Sequence, residues 1–282
     1  MQTTSPNPLS RHFRQPAIHL KLPSGGKFYP DGALNLPVTG AIPVYPMTVK
    51  DELTLKTPDA LLTGVGMVDV VKSCCPNILD PWSMPTIDID PVFIAIRIAS
   101  YGHGMDITAN CPHCNTKNEY KVDLRVITDN IQRANFDSPV EIDGLMFRFK
   151  PQQYRNINQN NIITFEEQRI VDNIVLNESL PQEEKIKQFN QSFEKLRELN
   201  IEAVANSILD ITTEDDNKVA DRAQITEFLG SCSRQIYNQI KATVEKLVND
   251  NRIEPLKLTC ENDECLKEYT SALTFDQSNF FE

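Results

Sequence analysis

The chain is short of basic residues, of histidine and of long apolar runs, and each shortage excludes something. Lys and Arg total 28 against 39 Asp and Glu, giving a formal net charge of -11. Nucleic-acid binding depends on Lys and Arg displacing condensed counterions, so a surface with this balance mostly repels a polyanion. No apolar stretch is long enough to span a bilayer, although 40% of the residues are hydrophobic. The opening Met1 to Gln15 has no apolar secretory core and no cleavage-site pattern, which predicts a soluble chain in a reducing, intracellular setting. Histidine occurs only at His12, His19, His103 and His113, none of them beside a nucleophile in a known catalytic pattern. His103, between glycines in Ser100-Tyr101-Gly102-His103-Gly104, reads as a surface residue or one that supports a nearby site without reacting. Asp88 and Asp90 read as helix-start carboxylates, and Glu214-Asp215-Asp216 as a solvated loop. The glycine turn Pro23-Ser24-Gly25-Gly26-Lys27-Phe28-Tyr29-Pro30 lacks the Lys-Ser/Thr of a phosphate loop and has no helix after it. The expectation is therefore a non-enzyme with no small-molecule substrate.

What is present is a pair of cysteine turns far apart in sequence, Cys111-Pro112-His113-Cys114 and Cys260-Glu261-Asn262-Asp263-Glu264-Cys265. Each lies between strand-like segments, Met105 to Asn110 then Glu119 to Val126, and Leu256 to Thr259 then Glu268 to Phe275. The neighbourhoods echo each other, with Thr108 and Thr259 leading in and Glu119-Tyr120 and Glu268-Tyr269 following. Two tight turns that each present two sulfurs supply the four thiolates of a closed tetrahedral zinc site. A full ligand set leaves no place for a reacting water, so zinc on Cys111, Cys114, Cys260 and Cys265 would be structural. Competing readings are a disulfide, which needs an oxidising compartment, and a redox Cys-x-x-Cys, which needs a helix start that Asn115-Thr116-Lys117 does not provide. His113 replacing one sulfur is a further variant, with a solvent-facing His113 preferred. Cys74, Cys75 and Cys232 sit in apolar helical contexts and read as free thiols.

Along the chain, residues 1–16 read as a flexible arm carrying Arg11 and Arg14, and 17–104 as a mixed strand and helix region. Thr48 with Asp51 starts one helix, and Asp90-Pro91 opens another from Val92 to Ser100 that is apolar except for Arg97, which should find a partner such as Asp88 or Asp90. Residues 105–150 and 252–282 form the ribbon and an adjoining hairpin, Val140 to Phe149, whose Asp143-Gly144 suits a tight primed turn. Helical periodicity runs from about Asn160 to Asn251, with stripes Ile186, Phe189, Phe193, Leu196 and Ile225, Phe228, Leu229, Cys232, Ile236, Ile240, Leu247. The predicted fold is α+β: a split zinc ribbon with four cysteine ligands, an N-terminal mixed α/β region, and an antiparallel helical bundle inserted at 151–251.

Several pieces, in order, resemble the phage baseplate protein family of T-even-type contractile tails, which contains a baseplate hub subunit. They are Leu22-Pro23-Ser24-Gly25-Gly26-Lys27-Phe28-Tyr29, Val44-Tyr45-Pro46-Met47-Thr48 before Asp51-Glu52, Ile89-Asp90 with Ile96-Arg97-Ile98-Ala99-Ser100-Tyr101-Gly102, and the first cysteine pair. The resemblance implies a virion component of the tail baseplate, made in the host bacterial cytoplasm. It further implies partners among other baseplate and tail proteins, several copies in a symmetric assembly, and no catalytic activity. Candidate contact surfaces are Phe28-Tyr29, Phe280-Phe281 and the N-terminal arm, with packing within the chain as the alternative for each. Two rival readings are an assembly chaperone absent from the finished particle and a zinc-ribbon nucleic-acid binder, the latter opposed by Glu261, Asp263 and Glu264 in the second turn.

Overall fold

Ile18–Lys21 (β1) and Ala41–Val44 (β2) alternate inward and outward and pair antiparallel, Ile18 opposite Val44 and Lys21 opposite Ala41. They open a computed structural model that describes residues 8–57, 63–130, 135–177 and 180–271. The inward side chains Leu20, Ile42 and Val44 join a first core with Met67, Val70 and Val71 of helix α2 (Val65–Cys74) and Val92, Ile94 and Ile96 of helix α3 (Thr86–Tyr101). Helix α1 (Val49–Leu55) starts with a capping box in which Thr48 and Asp51 each bond the other's backbone N–H. Cys74 and Cys75 are buried in this core, while Cys232 is half-buried elsewhere.

Helix α3 begins earlier than Asp90-Pro91 suggests. Pro85 is its N-cap, the Asp88 N–H bonds Pro85 O, and Pro91 lies inside, where it forfeits one internal hydrogen bond. Arg97 finds neither aspartate. Its guanidinium stacks 4.8 Å from the Tyr101 ring centre, and Asp88 faces the glycine turn instead. There Asp88 Oδ1 accepts from Ser24 N at 2.9 Å, and Oδ2 accepts from Ser24 Oγ at 2.6 Å and Tyr29 Oη at 3.0 Å.

That turn joins two cores. Tyr29 packs on the first, whereas Phe28 meets Phe136 edge-on at 5.7 Å and packs on the second. Phe28-Tyr29 thus forms a seam between the cores, each residue packed on one of them while half-buried. The described end of the arm is held by Arg14, which donates to Pro46 O at 2.6 Å and to Ser73 O at 2.7 Å, with Asp51 at 3.5 Å. Phe280-Phe281 and residues 1–7 lie outside the described residues.

The second core rests on a four-stranded antiparallel sheet whose strands follow one another in chain order. Strands β5 (Val140–Ile142) and β6 (Leu145–Phe149) form the expected hairpin, with Asp143 and Gly144 at φ 53 and 76. The stretch from Asn160 to Asn251 is not all helix, because β7 (Ile208–Thr212) and β8 (Lys218–Val219) interrupt it and pair onto β6. The hairpin grouped with the ribbon by sequence therefore shares a sheet with strands of the insertion. Buried Asp210 of β7 is clasped by Arg148 of β6, Nε to Oδ1 at 2.8 Å, and by Lys218 of β8 at 3.2 Å. The helices around this sheet are α5 (Tyr154–Leu176), α6 (Gln182–Asn206), α7 (Arg222–Ser231) and α8 (Arg234–Asp250). Asp221 and Ser233 cap α7 and α8 through the N–H groups of Gln224 and Ile236. Ile225, Leu229, Ile240 and Val244 are buried against Phe147 and Phe149.

Candidate metal centre

The first knuckle is a hairpin of Gly104–Asn110 (β3) and Lys117–Asp123 (β4), which runs directly into a short helix, α4 (Leu124–Asn130), where continued strand was expected. The second is a hairpin of Leu256–Thr259 (β9) and Glu268–Ser271 (β10). Both turns are built the same way. The first cysteine's N–H reaches across the turn, Cys111 to Thr116 O at 2.9 Å and Cys260 to Lys267 O at 3.0 Å. The residue after the second cysteine is left-handed, Asn115 at φ 58 and Leu266 at φ 47.

Asn adopts that conformation readily, but Leu is strained in it by about 1–2 kcal/mol. Because Leu266 is 60% exposed, it recovers little by packing. Leu266→Asn is expected to stabilise the protein by about 0.5–1 kcal/mol, read as a small rise in melting temperature. A fall would show that the Leu266 side chain makes a contact outweighing the strain.

The knuckles face each other and bring the four predicted cysteines together. All four sulfurs lie within 4.8 Å of one another, with Cys111 Sγ 3.9 Å from Cys265 Sγ and Cys114 Sγ 3.5 Å from Cys260 Sγ. A zinc–sulfur bond of about 2.3 Å places the corners of a tetrahedron about 3.8 Å apart, whereas a disulfide needs about 2.05 Å. The 3.5 and 3.9 Å separations lie near the first value, and the four cysteines are free. Cys111 and Cys260 are buried, Cys265 is half-buried and Cys114 is exposed. His113 and His103 are both exposed, and the sulfur cluster is complete without either.

The electrostatics also fit a cation. The Thr116 hydroxyl and then its backbone N–H favour the Cys114 thiolate and hold its pKa at about 6. For Cys260, the Asn262 N–H favours the thiolate, but burial and the adjoining sulfurs outweigh it and push the thiol up to about 11. Four neighbouring thiols cannot all ionise alone, and a divalent ion reverses that balance by stabilising every thiolate at once. The cluster can hold a metal ion such as zinc.

Side chains beyond the ligands tie the knuckles together. Tyr120 donates to Thr259 O at 2.7 Å and its hydroxyl meets that of Tyr269 at 3.1 Å, so the tyrosines that echo in sequence touch in space. Asn118, 3% exposed, accepts from Glu261 N at 2.9 Å and donates to Thr116 O at 2.9 Å. Asn262 Nδ2 donates to Thr116 Oγ1 at 3.1 Å. Sequence reasoning passed over Thr116, Asn118 and Asn262. The available signal was Asn118 itself, an asparagine inside a strand, where that residue is depleted.

Two cysteine hairpins closing on one thiol cluster, carried by an α+β scaffold, define a split four-cysteine ribbon protein. The chain belongs to the T4 bacteriophage base plate protein family, which matches residues 15–282. Membership implies a phage baseplate role in association with other tail proteins. No curated protein and no solved structure matches the chain. Among the described residues, no helix is long and apolar enough to cross a membrane.

Proposed function

We propose that this chain is a structural subunit of a contractile-tail baseplate, in or next to the hub, and that zinc on Cys111, Cys114, Cys260 and Cys265 staples its N-terminal half to its C-terminal hairpin. The observation that carries the reading is the family match across residues 15–282. The four-sulfur cluster adds the mechanical part: a closed ligand set cross-links two distant segments and leaves no coordination site for chemistry. The predicted work is geometric, holding neighbouring tail subunits at fixed angles from several copies in a symmetric assembly.

Two measurements test the proposal. Mass spectrometry of purified virions should detect the chain at a fixed ratio to the other baseplate proteins. Its absence from intact particles would overturn the structural-component reading in favour of an assembly factor. Metal analysis of the purified chain should return close to one zinc per chain.

A further inference from the structure

Three buried carboxylates among the described residues are engaged in holding the fold: Asp88 on the glycine turn, Asp210 on Arg148 and Lys218, Glu167 on Lys195. Asn118 and Thr116 differ, because their bonds run between the two knuckles, segments remote from each other in the chain. Asn118 spans from the Thr116 carbonyl of its own knuckle to the Glu261 N–H of the other, and its Oδ1 lies 3.8 Å from Cys260 Sγ. The Thr116 hydroxyl lies 3.3 Å from Cys114 Sγ and accepts from Asn262 across the junction. Each residue therefore touches one ligand sulfur and a group of the opposite knuckle within two positions of Cys260.

We propose that Thr116 and Asn118 are positioning residues for the metal, a polar clamp that sets the second knuckle's thiols against the first before the ion arrives. The clamp rests on the zinc reading given above. A metal site assembled from segments this remote must otherwise order both turns at the moment of binding, and that ordering weakens affinity. Asn118 lowers the cost by fixing the start of the second turn at Glu261, beside Cys260. Thr116 fixes the middle of that turn through Asn262 and orients the Cys114 sulfur inward. Outer-shell partners of this kind hold ligand directions in metal sites generally.

The test uses the full chain with zinc as the probe. Affinity is measured by competition with a chromogenic chelator, and ligand geometry by the charge-transfer and d–d absorption of the cobalt(II)-loaded protein. Asn118→Ala is expected to weaken zinc by about 10–100-fold and to alter the cobalt spectrum. Thr116→Val, which keeps the side-chain shape at a half-exposed position, should weaken it by about 2–10-fold, while Thr116→Ser should restore the original value. If Asn118→Ala does not fold, the Thr116 pair decides. Affinities within about twofold of the unaltered protein and unchanged spectra for both Asn118→Ala and Thr116→Val would overturn the clamp and leave the metal site standing. Failure of Thr116→Ser to recover would also overturn it. If the unaltered chain takes up no zinc or cobalt, the staple and the clamp fall together.

Discussion

Stripping the metal with a strong chelator is expected to lower the melting temperature by about 10 °C, with Cys260→Ala giving a similar loss. The magnitude follows from linkage: an ion present at about 10⁴ times its dissociation constant adds roughly 5 kcal/mol, and a chain of this size shifts by about 2 °C per kcal/mol. The staple has leverage because the facing cysteines are 146 and 154 positions apart, so the ion closes a loop that contains most of the second core. Without it, the two hairpins keep only a small apolar cluster, chiefly Ala109, Leu258 and Tyr269, and the few hydrogen bonds of the clamp and the tyrosine pair. The first and second cores are larger and contain no ligand cysteine, so unfolding of the apo chain should begin at the ribbon. Calorimetry with and without chelator reads the effect. An unmoved transition would rule out a structural metal.

Asp88→Ala is expected to cost about 3–5 kcal/mol, because it removes the acceptor for three donors in a buried place. Asp88 is fully buried, and Ser24 N, Ser24 Oγ and Tyr29 Oη all bond it. These contacts fix the turn that carries Phe28 to the second core and Tyr29 to the first, so the loss should loosen the seam between them. The carboxylate also makes stability depend on pH. Burial raises its pKa to about 6 against the pull of the Ser24 hydroxyl, the Ser24 N–H and Tyr29. The folded value therefore lies above the unfolded one, at about 4, and the folded state binds the proton more tightly. The contribution of this group to stability is complete below about pH 4 and is lost as the pH rises through about 6. Asp88→Asn, which keeps an acceptor oxygen but cannot ionise, should lack that component. Melting curves for the two proteins across pH 4 to 7 check this, and parallel profiles would refute it.

The cysteine cluster was legible because metal chemistry is local at each turn. Spacing within Cys111–Cys114 and Cys260–Cys265 already dictates where each pair of sulfurs points. The Thr48–Asp51 cap and the Asp143-Gly144 turn were legible for the same reason, since side chain and backbone meet within a few residues. Strand β7 was not. Ile208, Leu209 and Ile211 form a short apolar run that continues a helical stripe as well as it makes a strand. Its partner is β6, and the Arg148–Asp210 pair that fixes the alignment joins residues 62 apart. Arg97 misled in the opposite way: the neighbouring aspartates suggested a partner, but Asp88 turns toward Ser24, and the guanidinium lies over Tyr101 instead.

By itself the sequence determined which side chains can bind a metal and where short turns and caps fall, because these follow from residue chemistry and spacing. Only the tertiary structure decided that the cysteine pairs face each other, that Phe28 and Tyr29 point inward to separate cores, and that Asn118 bridges the knuckles. Those outcomes depend on the distance between residues remote in the chain, and that distance is set by how two hydrophobic cores pack around the sheet and helices that lie between the hairpins.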